Sequence, residues 1–136
     1  MADVKISNPG TLPKPAGAYS HIAEIEGARR LVVVAGQVAL APDGKVIAPH
    51  DVEKQTAEVY ANIGRALKAA GGDWRNVIQM MTFLVRREDI AKFFAARTRE
   101  FPKLFPDGKY PPNTLLVVSG LVSEEIAIEI QAIAAI

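Results

Sequence analysis

The sequence of 136 residues contains no cysteine and only two histidines. The missing thiols exclude a disulfide framework, a thiolate nucleophile and a cysteine-ligated metal. The histidines, His21 and His50, stand far apart in the chain and have no acidic partner at a ligand spacing. We therefore predict that the protein has no metal site.

An excess of charge of one sign is also missing. Sixteen basic and fifteen acidic side chains leave a formal net charge of +1, which gives no reason to expect a nucleic-acid or anionic-membrane partner. No apolar run approaches the ~18 residues of a membrane span, and the first residues lack the basic and apolar regions of a secretory signal. These absences predict a cytoplasmic protein.

The composition that remains is that of an ordinary folded domain. Hydrophobic residues make up 49% of the chain and charged residues 23%, as in globular rather than disordered proteins. The length suits one hydrophobic core. We therefore predict a single domain over residues 1–136.

Two segments have the apolar periodicity of helices. The first runs from Asp51, a residue suited to the N-cap, to Ala70, and Gly71 then supplies a stop signal. The second runs from about Asp89 to Phe105, where Pro102 must end or kink it.

Short apolar runs predict five strands, and residues 6–18, rich in proline and glycine, are expected to be irregular. The strands are His21–Glu26, Arg30–Ala35, Val77–Val85, Thr114–Val118 and Ile126–Ile133. The first two strands are expected to form a β-hairpin. Two helices with five to six strands predict an α+β fold in which both helices cover one face of a mixed sheet. Nothing in the chain is left to cover the other face, which favours an oligomer.

Four short segments carry a resemblance to a known family. They are Gly17-Ala18-Tyr19-Ser20, Ala35-Gly36-Gln37, Lys109-Tyr110-Pro111-Pro112-Asn113-Thr114 and Ile128-Glu129-Ile130-Gln131-Ala132-Ile133-Ala134. With these segments the chain resembles the RidA (YjgF-like) family. The resemblance implies a chorismate-mutase-like α+β protomer and a homotrimer, whose sheets form a central barrel with a cleft at each subunit boundary. It also implies hydrolysis of reactive enamines and imines, a reaction that needs no cofactor.

The same resemblance implies roles for three residues of the cleft. Tyr19 matches a pocket tyrosine, and Gly36 matches a glycine whose backbone can approach a ligand closely. Glu129 matches the acid that holds or activates the attacking water. Alternatives remain open for two of them: Tyr19 could be a buried aromatic with a bonded hydroxyl, and Glu129 could form a salt bridge at an interface.

Other positions depart from the family pattern. The arginine that would grip a substrate carboxylate falls at Asn113, and a common serine falls at Ala35. An arginine–carboxylate pair makes hydrogen bonds worth about 1.5–3 kcal/mol each, against about 0.5–1.5 kcal/mol for neutral ones. Its loss would cost an anionic substrate ~2–4 kcal/mol. Leu115 is a further pocket position, and Thr98 on the second helix is a polar one.

Arg97 stands beside Thr98 in the second predicted helix. We expect its side chain to be exposed to solvent; the alternative is that it supplies a substitute for the missing arginine.

The sequence therefore supports two functions. The first is cofactor-independent deamination of a reactive imine or enamine, with a specificity different from that of the arginine-bearing family members. The alternative is a non-catalytic homotrimer that binds a small metabolite at its subunit clefts.

Overall fold

The computed structural model describes residues 2–136, which contain six strands and two α-helices. In chain order these elements are β1 (Asp3–Ser7), β2 (Ile22–Glu26), β3 (Leu31–Gln37), α1 (Val52–Ala69), β4 (Val77–Leu84), α2 (Ile90–Leu104), β5 (Asn113–Val117) and β6 (Ile128–Ala135). Strands β3, β6, β4 and β5 form a mixed sheet in that order, and β1 and β2 pair separately. Strand β6 runs antiparallel to both of its neighbours, whereas β4 and β5 are parallel. The predicted α+β architecture is confirmed.

Helix α1 begins and ends close to the predicted residues. The Asp51 side chain accepts a hydrogen bond from the backbone N–H of Lys54 at 3.0 Å, as an N-cap should. Its apolar stripe is buried, and Gly71 follows the helix with a φ of 85°, a conformation that favours glycine. Helix α2 continues for two residues beyond Pro102. Within residues 2–136, no helix has both the length and the hydropathy needed to span a bilayer.

The predicted hairpin of β2 with β3 is wrong. Strand β2 pairs instead with β1, a strand that the irregular composition of the first residues concealed. The backbone N–H groups of Arg29 and Arg30 both donate to the carbonyl of Ile136, at 2.8 and 2.9 Å. Ile136 therefore bonds to the segment that links β2 to β3, and β6 takes the place beside β3.

The four-stranded sheet has one face covered by the helices and one open face. Along β6, Ile128, Ile130 and Ala132 are buried in the core formed with both helices, whereas the residues between them are only half-buried. On the open face of β3, Leu31 is 68% exposed and Val33 is 74% exposed. Burying such a side chain contributes about 1.5–3 kcal/mol. Covering the open face would therefore stabilise the folded chain.

A buried amide fixes the segment that leads into α1. Gln55 is fully buried, and its Nε2 donates to the carbonyls of Ala48 at 3.1 Å and Glu125 at 2.9 Å. Its Oε1 accepts from the N–H of Ala127 at 2.7 Å. These bonds join α1 to the start of β6 and hold Ala48 at a φ of 45°, a conformation that residues other than glycine rarely adopt.

Candidate functional site

Two of the predicted site residues, Gly36 and Glu129, lie in direct contact. The pairing of β3 with β6 shifts register between Val34 and Gln37, so that two residues of β3 face one residue of β6. Such a bulge changes the direction of the strand. It brings the α-carbon of Gly36 against the Glu129 side chain, where an added Cβ would overlap Oε1 and lie 2.8 Å from Cδ. Only glycine leaves this carboxylate in place.

The Glu129 carboxylate is fixed by its contact with Gly36 but has no cationic partner within residues 2–136. Its side chain is half-buried on the open face of the sheet. No ion pair among residues 2–136 includes it. A carboxylate in this situation can accept a proton from a bound water.

Asn113 lies on the opposite face of the same sheet. The register pairs Asn113 with Met80, a buried residue of the covered face. Its Oδ1 accepts a hydrogen bond of 2.8 Å from the hydroxyl of Thr82, which is also buried on that face. Glu129 pairs with Phe83, and side chains alternate between faces along a strand. Within one protomer, therefore, Asn113 and Glu129 do not share a cavity.

The remaining predicted residues are distributed over both sides. Leu115 pairs with Thr82 and packs against the core on the covered face. Ala35 is exposed beside Gly36, and Thr98 is exposed on α2. Tyr19 is half-buried in the loop before β2, and its hydroxyl oxygen accepts a hydrogen bond of 3.4 Å from the N–H of Ala16.

Two surface cavities have similar volumes. One of about 380 Å³ lies between β1 and the end of α2, and it contains none of the predicted site residues. The other, of about 360 Å³, reaches Gly36 and is bordered by Asn62 and Arg65 of α1. Neither of these two cavities includes both Glu129 and Asn113.

Arg97 corrects a prediction, because it is buried rather than exposed. Only 4% of its surface is accessible. It shares the buried side of α2 with Phe93 and Phe101, at the spacing of an amphipathic stripe. Its guanidinium carbon lies 5.2 Å from the ring centre of Phe93, 4.8 Å from that of Phe94 and 5.9 Å from that of Phe101.

This burial is electrostatically costly. Desolvation lowers the pKa of Arg97 from its usual value, although a guanidinium stays charged at neutral pH. Its Nε has no hydrogen-bond partner among residues 2–136. A buried ion loses several kcal/mol of solvation, and cation–π contacts return only about 0.5–2 kcal/mol each.

The guanidinium end reaches the loop that carries Tyr19. A Cβ added at Gly17 would lie 2.7 Å from Nη2 of Arg97, so the glycine leaves room for the cation. Sequence reasoning missed this arrangement because an arginine is normally assigned to the solvent side of a helix. The helical spacing of Arg97 from Phe93 and Phe101 was the signal that could have revealed it.

The fold is that of small α+β proteins in which two helices cover one face of a mixed sheet. Residues 10–136 match the family described as endoribonuclease L-PSP. The chain therefore belongs to this family, to which the RidA and YjgF proteins also belong.

Curated relatives and solved structures agree with this membership. The chain is 30% identical to 2-iminobutanoate/2-iminopropanoate deaminase of Rattus norvegicus over 130 residues, which cover 96% of this chain and 88% of the relative. It is 33% identical over 126 residues to a putative regulator, AldR, of Lactococcus lactis, with 91% of this chain and 93% of the relative covered.

Among solved structures, the Rid family protein YyfB of Yersinia pestis superposes with a TM-score of 0.85 at 27% identity, covering 98% of both chains. Escherichia coli TdcF with bound serine superposes with a TM-score of 0.69 at 26% identity, covering 96% of this chain and 98% of that one.

Proposed function

We propose that this protein is a cofactor-independent deaminase that hydrolyses a small, reactive imine or enamine in the cytoplasm. The observation that carries the proposal is the contact of Gly36 with Glu129, which holds an unpaired carboxylate on the sheet. Support also comes from the relatives named as 2-iminobutanoate/2-iminopropanoate deaminases. Because position 113 carries a neutral amide, the substrate preference differs from that of arginine-bearing members.

The chemistry asked of the site is modest. Water adds to the imine carbon while the Glu129 carboxylate accepts a proton from that water. The nitrogen takes up that proton, which gives a tetrahedral carbinolamine. Glu129 then carries the proton of the new hydroxyl group to the nitrogen, the carbon–nitrogen bond breaks as the carbonyl bond forms, and ammonia leaves with a carbonyl compound as the other product. Proton transfer by a positioned carboxylate contributes a typical ~10²–10⁴-fold to the rate.

A second copy of the chain completes this site. The open face of the sheet carries exposed apolar side chains, and a homotrimer that buries these faces stabilises each protomer. In such an assembly Glu129 of one copy meets the covered-side edge of a neighbour, where Asn113 and Leu115 lie. Tyr19, Ala35 and Thr98 then contribute to the lining of the cleft.

The test is ammonia release from imines produced in situ by an amino-acid oxidase. Replacing Glu129 with glutamine should lower the enzyme-dependent rate by about 10²–10⁴-fold, because the amide cannot accept the proton. The matched control is Glu124→Gln, which removes an exposed carboxylate from a loop and should leave the rate unchanged. Equal rates for wild type and Glu129→Gln would refute the role of Glu129. A wild type that accelerates none of a panel of imines, and that co-purifies with a ligand in its cleft, would favour the alternative of a non-catalytic homotrimer that binds a metabolite.

A further inference from the structure

Arg97 is a buried cation without an acidic partner among residues 2–136. Its guanidinium is buried under three phenylalanine rings, and none of the ion pairs among residues 2–136 includes it. The acidic residue one turn further along α2, Glu100, is already engaged with Arg99 at 3.9 Å and Lys103 at 3.5 Å. Aromatic faces alone do not replace the solvation that a buried cation loses.

The cation is open toward one direction only. Among the described residues its Nε is the one buried side-chain polar atom without a partner, so the Nη atoms form the end that reaches the surface. That end lies beside Gly17, where an added Cβ would lie only 2.7 Å from Nη2, so a side chain at position 17 would press on the guanidinium. Desolvation lowers the pKa of Arg97, and Tyr19, two residues further along the same loop, lies near enough for its phenolic group to oppose that larger effect by raising the pKa.

We propose that Arg97 binds the carboxylate of the substrate, so that the anion contact comes from helix α2 instead of strand β5. This inference rests on the proposed function in taking the ligand to be the substrate. The two Nη atoms present parallel N–H donors, which match the two oxygens of a carboxylate. The Tyr19 hydroxyl supplies a third donor.

The position of Arg97 suits this replacement. Helix α2 packs on the covered side of the sheet, toward which the side chain of Asn113 also points. Phe101 contacts Arg97, and its ring centre lies 5.3 Å from that of Tyr110, which precedes Asn113 by three residues. The substrate preference of this protein therefore follows from a carboxylate site that is displaced from β5 to α2, not from the loss of that site.

The test measures binding of an unreactive carboxylate. Butanoate should raise the melting temperature of the wild type and give a measurable Kd by titration calorimetry, whereas the neutral butanamide should do neither. Arg97→Met should abolish the effect of butanoate. It should also melt at or above the wild-type temperature without ligand, because an uncompensated buried charge is replaced by an apolar side chain of similar shape. Arg97→Lys should bind more weakly because a lysine cannot form the two-pronged contact.

A second variant does not depend on removing the arginine. Gly17→Ala places a Cβ against the flexible end of Arg97, which can move aside, so the melting temperature should change little while the Kd for butanoate rises about tenfold. Butanoate is not hydrolysed, so these measurements stand apart from the deaminase reaction. Glu129→Gln should bind butanoate like the wild type even though it has lost activity.

Three results would overturn the proposal. The first is equal responses to butanoate and butanamide, and the second is full butanoate binding by Arg97→Met. In the third, Arg97→Met changes the mass of the assembly in solution while butanoate leaves the wild type unaffected. The anion would then be an acidic side chain of a neighbouring copy.

Discussion

Replacing Gln55 with leucine should lower the free energy of unfolding by about 2–4 kcal/mol. The largest part comes from the N–H of Ala127, which loses the acceptor at 2.7 Å and stays buried. An orphaned buried donor costs about 1–3 kcal/mol. The leucine side chain fills a similar volume, so an empty cavity contributes little.

The two carbonyl groups that accept hydrogen bonds from Gln55 contribute less to the loss of stability than the N–H of Ala127 does. The Ala48 carbonyl keeps a hydrogen bond of 3.0 Å from the N–H of Asp51. The Glu125 carbonyl keeps one of 2.9 Å from the N–H of His50. Each therefore loses one of two bonds, a loss of about 0.5–1.5 kcal/mol at most.

A matched variant, Gln55→Glu, separates the donor from the acceptor. The carboxyl group of this variant still accepts a hydrogen bond from the N–H of Ala127. When it is ionised, however, its second oxygen faces the carbonyl oxygens of Ala48 and Glu125 and has no proton to donate to them. Burial and the two facing carbonyl oxygens hold the pKa of this carboxyl in the folded protein above the ~4.3 of an unfolded chain. The free energy of unfolding of Gln55→Glu is therefore highest below pH ~4.3, and it falls as the pH rises through the raised pKa. We expect a larger deficit relative to wild type at pH 8 than at pH 5.

Urea unfolding at one fixed protein concentration measures these differences, with fluorescence of Trp74, the single tryptophan of the chain, as the signal. The urea dependence of the free energy should be the same in all variants. A loss below about 0.5 kcal/mol for Gln55→Leu, the range of an ordinary surface substitution, would refute the account given of the buried amide.

Further substitutions test the other features. Gly36→Ala forces the carboxylate of Glu129 aside and should lower kcat for imine hydrolysis by about 10²-fold; an unchanged kcat would contradict the positioning role of the glycine. Asp51→Ala removes the N-cap of α1 and should cost about 1 kcal/mol in urea unfolding, and no change would mean that the cap is not used in solution. Val33→Asp on the open face should lower the mass of the assembly measured by light scattering, whereas Val122→Asp, on a loop where the side chain is 85% exposed, should not; equal masses would place the contact elsewhere.

The local patterns of the sequence predicted most of the fold. The boundaries of α1 follow from an apolar stripe, an acid at the N-cap and a glycine behind the last turn, all of which act within a few residues. The pairing of β2 failed because it depends on a contact between the first and second strands across a long irregular loop. It also depends on Ile136, whose carbonyl accepts hydrogen bonds from the N–H groups of Arg29 and Arg30 ahead of β3.

The candidate site was predictable only in part. The sequence motifs indicated Gly36 and Glu129, and the structure brings these two together. The side of the sheet on which Asn113 lies depends on the register of three strands, and no short motif encodes that register. Arg97 was assigned to the surface from its charge alone, although its helical spacing from Phe93 and Phe101 indicated the interior.

The opposite orientations of Glu129 and Asn113 have a consequence for genetics. Their strands, β6 and β5, are separated by β4, so the two side chains differ by about 10 Å along the sheet as well as by its thickness. In the proposed homotrimer, a small ligand that contacts both sides is therefore shared by two polypeptides. If that trimer forms, two mutant alleles, one defective at Glu129 and the other at Arg97, should complement each other in the same cell, since a mixed trimer would contain a cleft in which neither residue is damaged.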